Sequence, residues 1–220
     1  MVGTRPRVCL TPALQSCHLY IFCLITENIE QNLIKNGVEK IWDAMKVYDG
    51  VAILLFNITR NVFVFVRQFR PAIYINMVQT EVKDGIETVD TDKYPGTLGL
   101  TMELCAGIID KDKSVPEIAK SEIMEECGYE VPIENIKKIT TCRSGVGTSG
   151  GLLHLYYAEI TDTMKVASGG GVASEGEMID VVEVTVEEGR KLMFDESVNR
   201  VHVFIFALYW FFDQIWTKQP

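Results

Sequence analysis

The 220-residue sequence has no Cys-x-x-Cys pair, although it carries six cysteines: Cys9, Cys17, Cys23, Cys105, Cys127 and Cys142. Zinc-ribbon spacing is therefore excluded, and so is the dense disulfide framework of a small secreted domain; free thiols in a reducing compartment are expected. Histidines are few, and His18, His154 and His202 lie far apart, which leaves no His-rich metal site. There is no basic excess either. Lys and Arg number 21 against 30 Asp and Glu, a net charge of −9. Binding to a DNA or RNA backbone needs the opposite balance. No apolar run reaches the roughly 20 residues that a bilayer span needs. VHVFIFALYWFF (Val201 to Phe212) stops at Asp213 and reads as a buried terminal helix. CHLYIFCLI (Cys17 to Ile25) is followed by polar TENIEQN without a small-residue cleavage pattern, so it reads as a strand rather than a leader. A soluble, cytoplasmic chain without membrane or nucleic-acid partners is expected.

What is present is an ordinary globular composition, 47% apolar and 23% charged, in a length that suits one large domain with a small appendage. Strands dominate the first half. Val51 to Phe56 and Val62 to Val66 flank an ITRN turn and form a hairpin. The polar stretch between Ile75 and Gly99 reads as a surface excursion, and a strand from Leu100 to Cys105 leads into Ala106-Gly107. Ser114 as N-cap and Pro116 in the first turn open a helix that runs to Cys127, with Gly128 as its stop. Further strands are expected at Ile136 to Cys142, Leu152 to Ile160 and Met178 to Val184, and helices from Val186 and Val198. VASGGGVASEGE (Val166 to Glu177) reads as a mobile loop. Strands and helices without regular alternation predict an α+β sandwich, with residues 1–45 as an N-terminal extension and 46–220 as the main domain.

The most informative segment runs from Ala106 to Tyr129. On a helical wheel, Val115, Ile118, Ala119, Ile123 and Cys127 form an apolar stripe, and Glu122, Glu125 and Glu126 fall on the same side. Three carboxylates beside a core-facing surface repel one another and lose hydration, at a cost of a few kcal/mol if uncompensated. A divalent cation removes the conflict, and oxygen ligands suit Mg²⁺ or Mn²⁺. The blander reading of EIMEE alone is a solvated helix face.

The glycine before the helix decides between them. Gly107, Glu122, Ile123, Glu125, Glu126, Gly128 and Tyr129 match, at the right spacing, the signature of the Nudix hydrolases, which this segment resembles. Two positions depart: Lys113 stands in place of a Glu and Ser121 in place of an Arg. MELCAG (Met102 to Gly107) and FVRQFRPAIY (Phe65 to Tyr74) resemble the branch that cleaves ADP-ribose and nucleotide sugars. KIWDAMKVYDGVAILLFN, SGVG and GGGVASEGEMIDVVEV are similar to its UDP-sugar diphosphatases.

The resemblance implies an α/β/α sandwich with a mixed sheet and an N-terminal antiparallel hairpin. It also implies Mg²⁺-dependent hydrolysis of UDP-glucose, or of ADP-ribose. Glu122, Glu125, Glu126 and the Ala106 carbonyl become the metal ligands, and a loop glutamate, Glu175 before Glu177, becomes the base. Arg70 is a phosphate or ribose clamp, Trp42 a base-stacking residue, Glu103 a pocket residue and Arg143 a weaker phosphate contact. Arg67 alternates onto the face opposite Gln68 and reads as a surface residue. A homodimer crossing through the strands around Trp42 is implied as well. Ser121 supplies neither charge nor more than one donor, so reduced turnover is expected. A binding module without efficient turnover is the alternative class.

Overall fold

The computed structural model describes residues 44–83, 86–172, 174 and 177–218. The readings of Cys17 to Ile25, of Trp42 and of Glu175 lie outside the described residues.

Strand β1 (Gly50–Asn57) is almost wholly buried. Its odd residues Val51, Ile53 and Leu55 enter one core and its even residues Ala52, Leu54 and Phe56 another. A strand covered on both faces has no polar side to show, which is why it reads as an unbroken apolar run. The ITRN turn leads into β2 (Val62–Phe69), and the pair is antiparallel over Leu55↔Val64 to Asn57↔Val62, as the sequence predicts. Short α1 (Pro71–Met77) and a small hairpin of β3 (Thr80–Lys83) and β4 (Ile86–Val89) fill the polar excursion.

The strand expected from Leu100 to Cys105 is two. β5 (Leu100–Glu103) pairs with β2, and after a break at Leu104, β6 (Cys105–Ile108) pairs with β1. Strands β1 and β2 pair only beside their turn, and the β5–β6 segment fills the fork as they separate. β9 (Ile179–Thr185) flanks β2, while β8 (Leu152–Ile160) runs parallel to β1 and antiparallel to β7 (Ile136–Arg143). The sheet is therefore mixed.

Helix α2 (Val115–Glu122) begins in a capping box, with Ser114 and Glu117 satisfying each other's backbone neighbours. It does not continue as an α-helix to Cys127. Residues Ile123–Cys127 form a π-helical turn, and Gly128 ends it in the left-handed conformation (φ 73°). Ile118, Ala119, Ile123 and Cys127 cover the first core. On the opposite face, α3 (Val186–Leu192) and α4 (His202–Gln214) close an aromatic core. α4 begins four residues later than the sequence suggests, and it is the buried terminal helix expected. Among the described residues no helix is long and apolar enough to cross a membrane.

Candidate active site

The fork in the sheet brings Ala106-Gly107 beneath the π-helical turn. The Ala106 N–H donates to Glu126 Oε2 at 2.9 Å, so this carboxylate is tied to the strand rather than to solvent. Glu126 is 3% exposed. Gly107 faces Glu122: a Cβ at this position would run into the Glu122 carboxylate, so only glycine leaves room. Glu122 and Glu125 are half-buried.

Burial comes first in the electrostatics. It pushes the Glu122 carboxyl up to about 7, helped by the like charges of Glu125, Glu177 and Asp110 and opposed by Lys111. Burial likewise pushes Glu126 up to about 8, with the Ala106 N–H and the Cys105 thiol working against it and Glu122 and Glu177 with it. Two carboxylates kept near neutrality beside a backbone loop form an oxygen donor set that a hard divalent cation would stabilise. That donor chemistry fits the cation the resemblance implies. The acids do not yet form a closed cage: among the described residues no three His, Cys, Asp or Glu side chains stand together as a metal-holding group. Gathering like charges costs energy that protonation or a bound cation returns.

Lys111, which the sequence analysis did not single out, is a cation that acts on Glu122. Its signal was its place in the loop between Gly107 and the helix, a place a wheel drawn for the helix does not include.

The turn's last carbonyls are all accounted for. Glu125 O accepts from Gly171 N at 3.1 Å, Glu126 O from Gly170 N at 2.8 Å, Cys127 O from Lys165 Nζ at 2.7 Å and Gly128 O from Val166 N at 2.9 Å. The first half of the loop expected to be mobile is thus docked on the acid turn. The reason is physical: helix ends leave carbonyls without intrahelical partners, and glycine backbone can approach closely enough to supply them. Glu177, at the loop's far end, accepts from Val172 N at 2.8 Å and raises both Glu122 and Glu126 through its charge.

Arg70 and Glu103 come together across β2 and β5. Nε and Nη2 of Arg70 reach the two Glu103 oxygens at 2.8 and 2.6 Å, and the Thr101 hydroxyl also donates to Glu103. Glu103 is buried and holds the Arg70 guanidinium above its ordinary range, with Glu126 and Glu177 adding to the effect. Arg67 pairs with Asp180 on the surface at 2.9 Å. Arg143 is exposed at the end of β7, where it donates to Gly150 O at 2.9 Å. Ser121 is half-buried and Lys113 exposed. A shallow cavity of about 460 Å³ lined by Lys120, Glu130, Ile133 and Met164 contains none of these residues.

The chain matches no family model. It is 39% identical over 186 residues to the uridine diphosphate glucose pyrophosphatase NUDT14 of Bos taurus, covering 81% of this chain and 84% of that protein. It is 36% identical over 189 residues to the protein of the same name from Mus musculus, covering 82% and 85%. A GDP-mannose pyrophosphatase of Salmonella typhimurium is 34% identical over 161 residues, covering 71% and 72%. Among solved structures, the crystal structure of an ADP compounds hydrolase superposes with a TM-score of 0.55 over 83% of both chains, at 17% identity, a likeness of fold. Similarity of this extent, on this fold, makes the protein an enzyme of the pyrophosphatase class. The chain belongs to the Nudix hydrolase family.

Proposed function

We propose that the protein hydrolyses the diphosphate linkage of nucleoside diphosphate sugars in a divalent-metal-dependent reaction. UDP-glucose and water would give UMP and glucose 1-phosphate, with ADP-ribose as a second substrate giving AMP and ribose 5-phosphate. The observation that carries this reading is the buried Glu122–Glu126 pair held against Ala106-Gly107. It occurs in a chain whose relatives are named for UDP-glucose and GDP-mannose cleavage.

Glu122, Glu125 and Glu126 with the Ala106 carbonyl are the proposed holders of Mg²⁺ or Mn²⁺. When bound, such a cation supplies charge neutralisation on the diphosphate and acidifies a water. The chain's own residues do the rest. The Ala106 N–H fixes the orientation of Glu126, and the bare Gly107 admits the Glu122 carboxylate beside it. A loop glutamate takes the proton of the attacking water. Glu175 is the first proposed base and Glu177 the second; the charge of Glu177 acts on both Glu122 and Glu126, which supports it in that role. Arg70 spends Nε and Nη2 on Glu103, which leaves Nη1 outside that pair, without a hydrogen bond among the described residues and available to a phosphate oxygen. Trp42 and Arg143 are proposed substrate contacts on resemblance alone.

The test is release of monophosphate products from UDP-glucose, ADP-ribose and GDP-mannose, read through a coupled phosphatase with and without Mg²⁺. Metal-dependent release with UDP-glucose is expected. No release from any of the three would overturn the proposal.

A further inference from the structure

We propose that Gly169, Gly170 and Gly171 are positioning residues, a backbone strap that docks on the acid turn and sets Glu177 against Glu122 and Glu126. This rests on the functional reading above and names the part of the chain that places the second of its two proposed bases.

Three observations carry it. The strap and the turn meet backbone to backbone, through Gly170 N to Glu126 O at 2.8 Å and Gly171 N to Glu125 O at 3.1 Å, so the carbonyls it grips belong to two of the acids themselves. Next, all three glycines have positive φ, 73°, 111° and 80°, and at Gly169 and Gly171 a side chain is resisted by space as well as by backbone conformation. A Cβ on Gly169 would press into the Glu126 carbonyl, and one on Gly171 would lie 2.7 Å from Glu177 Oε2. Finally, the strap closes on the glutamate it delivers: Val172 N donates to Glu177 Oε2 at 2.8 Å, and Ile179 N returns to Gly170 O at 3.3 Å. A loop that only linked β8 to β9 would need no such run of left-handed residues laid along a helix end.

The strap's amides answer carbonyls at the end of the π-helical turn that have no partner within it. Glu177 makes no direct hydrogen bond to the acid turn among the described contacts, so its position depends on the strap.

The experiment is a double-mutant cycle between Gly169→Ala and Glu177→Gln, read as kcat and KM for UDP-glucose. If the strap acts through Glu177, Gly169→Ala lowers kcat about 10-fold or more in the wild-type background and less than about 2-fold when Gln already stands at 177, with KM little changed in both. Equal losses in the two backgrounds would overturn the inference, because a merely structural role is additive. Gly171→Ala gives a milder second variant should Gly169→Ala not fold. A second arm does not depend on turnover: hydrogen exchange of peptides spanning 166–179. Slow exchange at Gly170 and Gly171 in the wild type, lost in the glycine variant, is expected; fast exchange in the wild type would overturn the docking. A wild type that cleaves no nucleotide sugar would sink the proposed function instead, and the exchange arm then judges the strap alone.

Discussion

The two faces of the sheet are built from the same strands and serve opposite ends. On the α4 face, Phe56, Phe63, Phe65, Phe204 and Phe211 are fully buried, and their rings meet at centroid separations of 4.6 to 5.5 Å. Its edge meets one half-buried carboxylate, Glu159, which accepts from the Tyr157 hydroxyl at 3.3 Å. On the α2 face the core is mainly aliphatic, of Val, Ile, Leu, Ala and Cys side chains with only Tyr129 and Tyr156 as aromatics, and Glu126 is buried at its margin. The first arrangement gains free energy at every contact, since offset and edge-on ring pairs add to the burial of area. The second gives some of that gain up by keeping acids where water cannot reach them. The enzyme places its unfavourable chemistry on one side of a sheet and its stability on the other, and each face can be broken without the other.

Breaking each face in turn gives the largest expected effects. Phe211→Ala removes a ring that contacts Phe56, Phe63, Tyr157 and Trp216. It should cost about 3–5 kcal/mol of stability, while kcat per folded molecule stays near the wild-type value. Glu126→Gln should do the reverse. Outer-shell partners of a metal site alone are worth roughly 10–100-fold, so loss of a proposed ligand should lower kcat at least about 100-fold, with no loss of stability in metal-free protein. Urea denaturation and turnover measured on both variants check the pair. If Phe211→Ala were to abolish turnover in fully folded protein, the separation of the two faces would be wrong.

The second prediction sharpens the same contrast through pH. A carboxyl whose folded-state value lies above its unfolded value favours folding while protonated and loses that contribution as it ionises. Glu126, at about 8, and Glu122, at about 7, against an ordinary 4.5, should therefore make the metal-free protein less stable as pH rises from about 5 to about 8.5. Each unit amounts to about 1.4 kcal/mol; Glu126, the more buried, carries most of a loss on the order of a few kcal/mol, and solvent screening reduces the share of the more exposed Glu122. Glu126→Gln should remove part of the slope, and saturating Mg²⁺ should flatten it, since metal binding takes the deprotonated ligands. Thermal melts between pH 5 and 8.5 read this directly, and identical slopes for the wild type and Glu126→Gln would refute it.

The contrast also explains what could be read in the sequence. β1, the β1–β2 hairpin, the capping box at Ser114, the stop at Gly128 and the buried terminal helix all follow from local pattern, because apolar periodicity and glycine or serine placement are local properties. The acids were legible through their spacing to Gly107. What was not legible depends on partners distant in sequence. The break at Leu104 follows from the fork between β1 and β2, and the Arg70–Glu103 pair from the registration of β2 with β5. The docking of the glycine loop depends on a helix end some forty residues earlier, whose widened turn no wheel drawn at 100° per residue anticipates. Polarity and glycine content told of a loop without telling what it would bind.

The smallest expected effect tests how complete the acid face is. At position 121 the resemblance expects an arginine, and the chain has a half-buried serine one residue before Glu122. Cationic help at Glu122 comes instead from Lys111, in the loop that precedes the helix. A lysine acts as a point charge on a flexible stem, whereas an arginine fork can hold a carboxylate in one orientation. Ser121→Arg should therefore leave folding intact and raise kcat by a few-fold, by ordering the acids rather than by adding a proton donor. Lys111→Ala should lower kcat modestly, and less so when Arg stands at 121, because both cations then serve the same acids. An unchanged rate in Ser121→Arg would count against this account.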